Sequence, residues 1–140
     1  PVNLCAFGTD AIPGFFRDNP GIALDITWLA AHEERLVDDA VLSVGRRTAM
    51  ERVAALLVHL FKRAASAGLV EGDSIPFPLT QLHIADALGL SVVHTNRVLQ
   101  RLRKGGFIRL EDQRLAIGNL GAMRRVGRYW EQPAPLRPLL

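Results

Sequence analysis

The stretch "LTQLHIADALGLSVVHTNRVLQRLRKGGFI", Leu79 to Ile108, carries two helical patterns around Gly89 and stops at Gly105-Gly106. Thr80 supplies a capping side chain, and Gln81, Ile84, Ala85 and Leu88 then share one helical face. Gly89 ends this helix where a left-handed backbone is cheap only for glycine. Two residues later Ser91 caps a second helix. The small side chain of Ala85 lets the two helices approach closely, and the spacing Ala85, Gly89, Val98 is that of a helix-turn-helix.

At about 100° per residue, Thr95, Val98, Leu99 and Leu102 fall on one side of the second helix, and Val93, Arg97, Gln100 and Lys104 nearly opposite. The first set is expected to pack on the domain. The second forms an outward column of one apolar contact, an Arg, an amide and a Lys. Such a column suits the major groove of DNA, where Arg reads guanine O6 and N7, Gln reads adenine, and an aliphatic group packs on a thymine methyl. Val92 and Val93 then look exposed because DNA would cover them; the alternative is that both fill the junction between the two helices.

Beyond Gly105-Gly106, Phe107–Leu110 and Arg114–Ile117 read as two short strands around the turn Glu111-Asp112-Gln113. This hairpin is a wing. A wing beside a helix-turn-helix runs along the phosphate backbone, where Arg109 and Arg114 can supply charge, although both can equally be ordinary solvated residues. Leu120 to Tyr129 is expected to form a last helix, with Arg124, Arg125 and Arg128 as a basic face and Trp130 packing or terminating it.

Upstream, Ile75 to Leu79 is interrupted by Pro76 and Pro78 and can be at most an edge strand. The run "SAGLVEGDSIPFP", Ser66 to Pro78, is the main organisational break. Before it lie two more helices. Asp18-Asn19-Pro20 opens a long one expected to reach about Val44, where Gly45 breaks it. Along it Ile22, Leu29, Leu36 and Ser43 recur every seven residues with Ile26, Glu33 and Ala40 between, the seam of a two-stranded coiled coil interrupted at Glu33. An ordinary core-facing stripe gives a similar pattern. Ile22, Ile26, Leu29, Leu36 and Ala40 are thus the candidate dimer contacts. Thr48-Ala49-Met50-Glu51 then has capping-box spacing, and Val53, Leu56, Leu57, Leu60, Phe61 and Ala64 follow at helical intervals to a stop at Gly68.

The expected fold is mainly α with a small β wing: a long dimerisation helix followed by a winged helix-turn-helix. The expected divisions are 1–19, the remnant of a preceding β-roll's end and a connector; 20–67, the dimerisation helix, hinge and first helix of the DNA-binding region; 68–130, the winged helix-turn-helix; and 131–140, a Pro-rich flexible tail.

Composition bounds what such a fold can do. About half of the 140 residues are apolar, enough for a real core. The longest apolar runs, such as Val53 to Val58, are too short to cross a bilayer, so no membrane partner is expected. The single cysteine, Cys5, can neither close an internal disulfide nor hold a metal alone, which fits a reducing cytoplasm. Residues 1–67 hold 7 Lys/Arg against 8 Asp/Glu and residues 68–140 hold 10 against 6, placing the basic surplus beside the helix-turn-helix. His32, His59, His83 and His94 have no paired nucleophile, Gly-rich phosphate loop or adjacent carboxylate pair, so no enzyme is expected. His59 reads as a partly buried structural residue, and His83 and His94 as facing solvent or a phosphate.

Taken together, "SVGRRTAMERVAALLVHLFKRA", the helix-turn-helix stretch and "LAIGNLGAM" resemble the C-terminal part of the Crp/Fnr family of bacterial transcription regulators, from about Pro20 to Tyr129. The opening "PVNLCAF" looks like the last strand of that family's effector β-roll. The resemblance implies a parallel dimer through the long helix, a hinge near Gly45, and a two-fold symmetric double-stranded DNA operator. It places Thr80 and Ser91 at phosphates and Val92, Val93 and Arg97 at bases. Gln100 is expected to assist in base reading, and Gln81, Arg101, Lys104, Arg109 and Arg114 in phosphate contact. Val92 and Val93 depart from the polar pair of the best-known members, so those members' operators do not transfer. The resemblance also implies that the effector domain precedes Pro1, making the chain a C-terminal piece of a longer regulator with no cofactor or effector site of its own. Activation would add RNA polymerase as a partner, and no sequence pattern marks a surface for it. The competing reading is a winged-helix protein-interaction module in which Val92 and Val93 belong to an apolar docking patch.

Overall fold

The computed structural model describes residues 3–4 and 6–129; Cys5, Trp130 and the 131–140 tail lie outside them. Two compact units divide near Ala40 and are described in turn.

The first begins with a 3-10 turn, Thr9–Ala11, and helix α1, Ile12–Asp18. A strand remnant was expected here, but the described residues of "PVNLCAF" form no strand and the segment that follows is helical. Pro13 sits in the first turn of α1, where proline costs no hydrogen bond, and Asn19 closes it by donating from Nδ2 to Phe15 O at 3.1 Å. Phe15 packs on Phe7 and Phe16 with ring centroids 6.3 and 6.2 Å apart.

Helix α2 spans Pro20–Arg46. It runs through Gly45 rather than breaking there: the glycine faces open space, and a 27-residue helix absorbs its propensity cost of about 1 kcal/mol. Of the expected seam, Ile26 and Ala40 are exposed, Ile22 and Leu29 are half-buried, and Ser43 is buried; the Leu36 side chain lies outside what is described. Val37 and Val44 are also open to solvent, at 63% and 57%. Ile26, Ala30, Val37, Ala40 and Val44 therefore form the exposed seven-residue pattern, rotated slightly from the expected seam.

The second unit starts at Val41. Helix α3, Ala49–Ser66, opens on the capping box: Thr48 Oγ1 accepts from Glu51 N, and Thr48 N donates to Glu51 Oε2 at 2.7 Å. The backbone hydrogen bond from Thr48 is the main cause holding the Glu51 carboxyl below its usual pKa. Strand β1, Ser74–Pro76, is the expected edge strand, followed by α4, Gln81–Leu88, and α5, Val92–Lys104. Strands β2, Ile108–Glu111, and β3, Arg114–Ile117, complete an antiparallel sheet in the order β1-β3-β2. The wing turn is tighter than expected: Glu111 pairs with Arg114, leaving Asp112 and Gln113 at φ 50° and 57°, which matches the right-handed twist of the strands. Helix α6, Leu120–Val126, stops short of Tyr129 because Gly127 caps it and Arg128 turns left-handed at φ 44°.

Val53, Leu57, Ile75, Ile84, Val98, Leu99, Leu102, Leu115 and Met123 form the centre of one core supplied by α3, the sheet, α4, α5 and α6. Arginines fasten the junction between α2 and α3. Arg52 donates to Arg47 O at 3.0 Å, to Leu88 O at the end of α4 at 3.4 Å, and to Val44 O. Arg47 donates to Ser43 Oγ and to Arg128 O, both at 3.1 Å, while Arg128 pairs with Glu51 at 2.8 Å. Arg128 thus serves this junction and not the basic face of a last helix.

Candidate nucleic-acid interface

Helix α5 keeps its expected faces. Thr95, Val98, Leu99 and Leu102 are at most 2% exposed, whereas Arg97, Gln100, Arg101 and Lys104 are exposed. Val92 is 40% and Val93 64% exposed, so neither fills the junction with α4. That role falls to Leu88 and Leu90, which pack against the core, with Gly89 left-handed between them at φ 61°. The outward column of Val93, Arg97, Gln100 and Lys104 is free to enter a groove.

The helix starts flanking this column are built from short side chains. Thr80 Oγ1 accepts from His83 N at 3.3 Å, and His83 Nδ1 accepts from Thr80 N at 3.1 Å, taking the place usually held by Glu or Gln. Ser91 Oγ accepts from His94 N at 3.2 Å. Each hydroxyl keeps its proton to donate outward. Gln81 is half-buried, and its Oε1 accepts from Asn96 Nδ2 at 2.8 Å, joining α4 to α5. Asn96 escaped the sequence reading, since it lies on the flank of α5, off both the buried face and the outward column.

The wing departs from expectation. Arg109 meets Asp73 at 3.0 Å and Glu111 at 3.8 Å, and Arg114 meets Glu71 at 2.9 Å and Ser74 Oγ at 2.9 Å. Register explains it: Arg109 opposes Ala116, which opposes Ser74, so the arginines share one sheet face with the acidic Glu71–Asp73 loop. Both arginines thus meet acidic partners on this exposed face. A recess of about 430 Å³ between this face and the end of α5 is lined by Arg103, Gly106, Arg109, Asp73 and Glu111 among others. Arg101, Arg103 and Lys104 occupy the last turn of α5, where cations also favour the helix dipole.

Residues 51–126, more than half the chain, match the Crp-like helix-turn-helix domain. The chain belongs to that family. Its Crp-like domain thus spans α3 through α6. The chain is similar to a probable transcriptional activator of Rhizobium leguminosarum bv. viciae, 33% identical over 81% of this chain and 47% of that one. It is also similar to the nitrogen fixation regulation protein FixK of Rhizobium meliloti, 34% identical over 70% of this chain and 42% of that one. It spans about half the length of these relatives. Its fold is shared with FixK2 from Bradyrhizobium japonicum, at TM-score 0.71 and 23% identity over 90% of this chain and 60% of that one. A CooA mutant from Carboxydothermus hydrogenoformans shares it too, at TM-score 0.70 and 18% identity over 83% and 53%. Crp/Fnr-type proteins are transcription regulators carrying a winged helix-turn-helix.

Among the described residues no helix is long and apolar enough to cross a membrane, and no three His, Cys, Asp or Glu side chains cluster as metal ligands would.

Proposed function

We propose that this chain is the operator-reading part of a homodimeric Crp/Fnr-type transcription regulator in the bacterial cytoplasm. The observation that carries the reading is the solvent-facing column of α5: Val93, Arg97 and Gln100 stand clear of the core beside an uncovered Val92. An apolar side chain left in water beside an Arg and an amide is the combination that reads thymine methyls and base edges together. Arg97 is the chief base reader, with Val92, Val93 and Gln100 assisting. Thr80, Ser91, Gln81, Arg101 and Lys104 hold phosphates. The exposed seven-residue pattern of α2 supports pairing of two copies, which would set half-sites about 34 Å apart on the duplex. RNA polymerase is a further partner where the regulator activates. The reading assigns the chain no cofactor and no catalytic step.

The test is selection from a randomised duplex pool at two salt concentrations, with sequencing of the bound fraction. The expected result is a two-fold symmetric motif whose affinity falls steeply with salt. Failure to enrich any motif, together with salt-insensitive capture of a protein partner, would favour a protein-interaction module instead.

A further inference from the structure

Asn96 occupies the edge of α5 that faces α4, and its Nδ2 donates to Gln81 Oε1 across 15 residues of sequence at 2.8 Å. Both side chains are half-buried. A carboxamide has one accepting and one donating end, and the bond uses the accepting end of Gln81. Its Nε2, with two N–H donors, has no acceptor among the described residues. An untethered glutamine presents oxygen and nitrogen alike, and its oxygen repels a phosphate. Tethering removes the wrong orientation and much of the rotamer entropy lost on binding.

We propose that Asn96 is a positioning residue for DNA: it holds the Gln81 carbonyl oxygen inward so that the Nε2 donors meet a backbone phosphate, and it reads no base itself. The inference rests on the operator-reading function above and adds a neutral contact to it. A neutral donor displaces no counterion, so this contact strengthens binding without steepening its salt dependence. Asn96 is half-buried with its Nδ2 engaged by Gln81 on α4, whereas Val92 and Gln100, one turn to either side, are exposed, so the amide close to the base-reading column is turned to the neighbouring helix.

The experiment uses the 140-residue chain and the duplex it selects from the randomised pool. Dissociation constants are measured for wild type, Gln81→Ala, Asn96→Ala and the double variant at two salt concentrations, with melting temperatures for all four. Selection is repeated with Asn96→Ala. Each single substitution is expected to weaken binding about tenfold per half-site. The double variant should bind no more weakly than Gln81→Ala, with salt slope and selected motif unchanged. Additive losses, or a motif altered at one base, would overturn the proposal by making Asn96 a base reader. A lower melting temperature with unchanged dissociation constants would overturn it too, reducing the bridge to a packing contact. If wild type selects no duplex, the operator-reading function falls and takes this inference with it; if wild type binds and the losses add, only the inference falls.

Discussion

Thr95 lies on the buried face of α5 with 0% of its surface exposed, and its Oγ1 has no hydrogen-bond partner among the described residues. A helical threonine can bond to the carbonyl one turn back, but Ser91 O already accepts the Thr95 N–H at 2.9 Å and its second site is not used. Valine has the same branching and nearly the same volume. Burying a hydroxyl without a partner costs about 1–3 kcal/mol on mutational evidence, while Thr and Val have close helix propensities. Thr95→Val should therefore stabilise the domain by about 1–2 kcal/mol and raise its melting temperature by about 5–10 °C. Thermal unfolding followed by circular dichroism checks this, with Thr95→Ser as the control: serine keeps the unpaired hydroxyl and loses a packed methyl, so it should melt below wild type. Operator affinity should not change, because Thr95 points away from the outward column. A valine variant melting at or below wild type would refute the reasoning, since the hydroxyl must then be satisfied.

Arg97→Ala should cost about 1–3 kcal/mol of operator affinity and blur one base position in a repeated selection; an unchanged motif would remove Arg97 from base reading. Lys104→Ala should lower the slope of log affinity against log salt by about one, whereas Arg109→Ala should leave it nearly unchanged because Asp73 already occupies that guanidinium. Gly127→Ala should destabilise the fold by about 1–3 kcal/mol in a urea melt, since a Cβ there would stand 2.7 Å from Ala55 N, a backbone atom of α3 that cannot swing away. Glu51 has a depressed folded pKa, so its contribution to stability is present above the unfolded value near 4.5 and is lost as pH falls through the lower folded value. Melting of wild type and Glu51→Gln should accordingly differ at pH 7 and converge under acid conditions; a constant difference would argue against the carboxylate's role in the cap.

Local chemistry made much of this molecule legible in sequence. The caps at Thr48, Thr80 and Ser91, the left-handed Gly89 and the two faces of α5 depend on residues within a few positions of each other, and each is where the pattern placed it. Features set by distant partners were not legible. Arg109 and Arg114 look free in a list of charges, and only strand register brings Glu71 and Asp73 to them. Helix α1 lies where only a strand remnant and connector were expected; its Pro13 falls in the first turn, where it removes no helical hydrogen bond. The surroundings of Ser43 on α2 were not legible for a related reason. Burial of Ser43 follows from its bond to Arg47, and Arg47 is itself held from Arg128, 81 residues further along the chain.

This distribution of charge bears on how affinity and specificity are divided. With Glu71, Asp73 and Glu111 set against Arg109 and Arg114, the outer face of the wing contributes little net attraction to a polyanion. Helix α5 instead carries Arg97, Arg101, Arg103 and Lys104 with no acidic residue, so this basic charge lies on the helix proposed to read DNA. Under the proposed function, non-specific binding and base reading then act through one helix. Its placement depends on the core beneath Val98, Leu99 and Leu102 and on Arg52, which ties the end of α4 to the end of α2. On that reading, a shift at the junction of α2 and α3 that breaks the Arg52 bonds would move the proposed reading helix and its proposed phosphate contacts together. Affinity for all sequences and discrimination among them would then be lost in the same step.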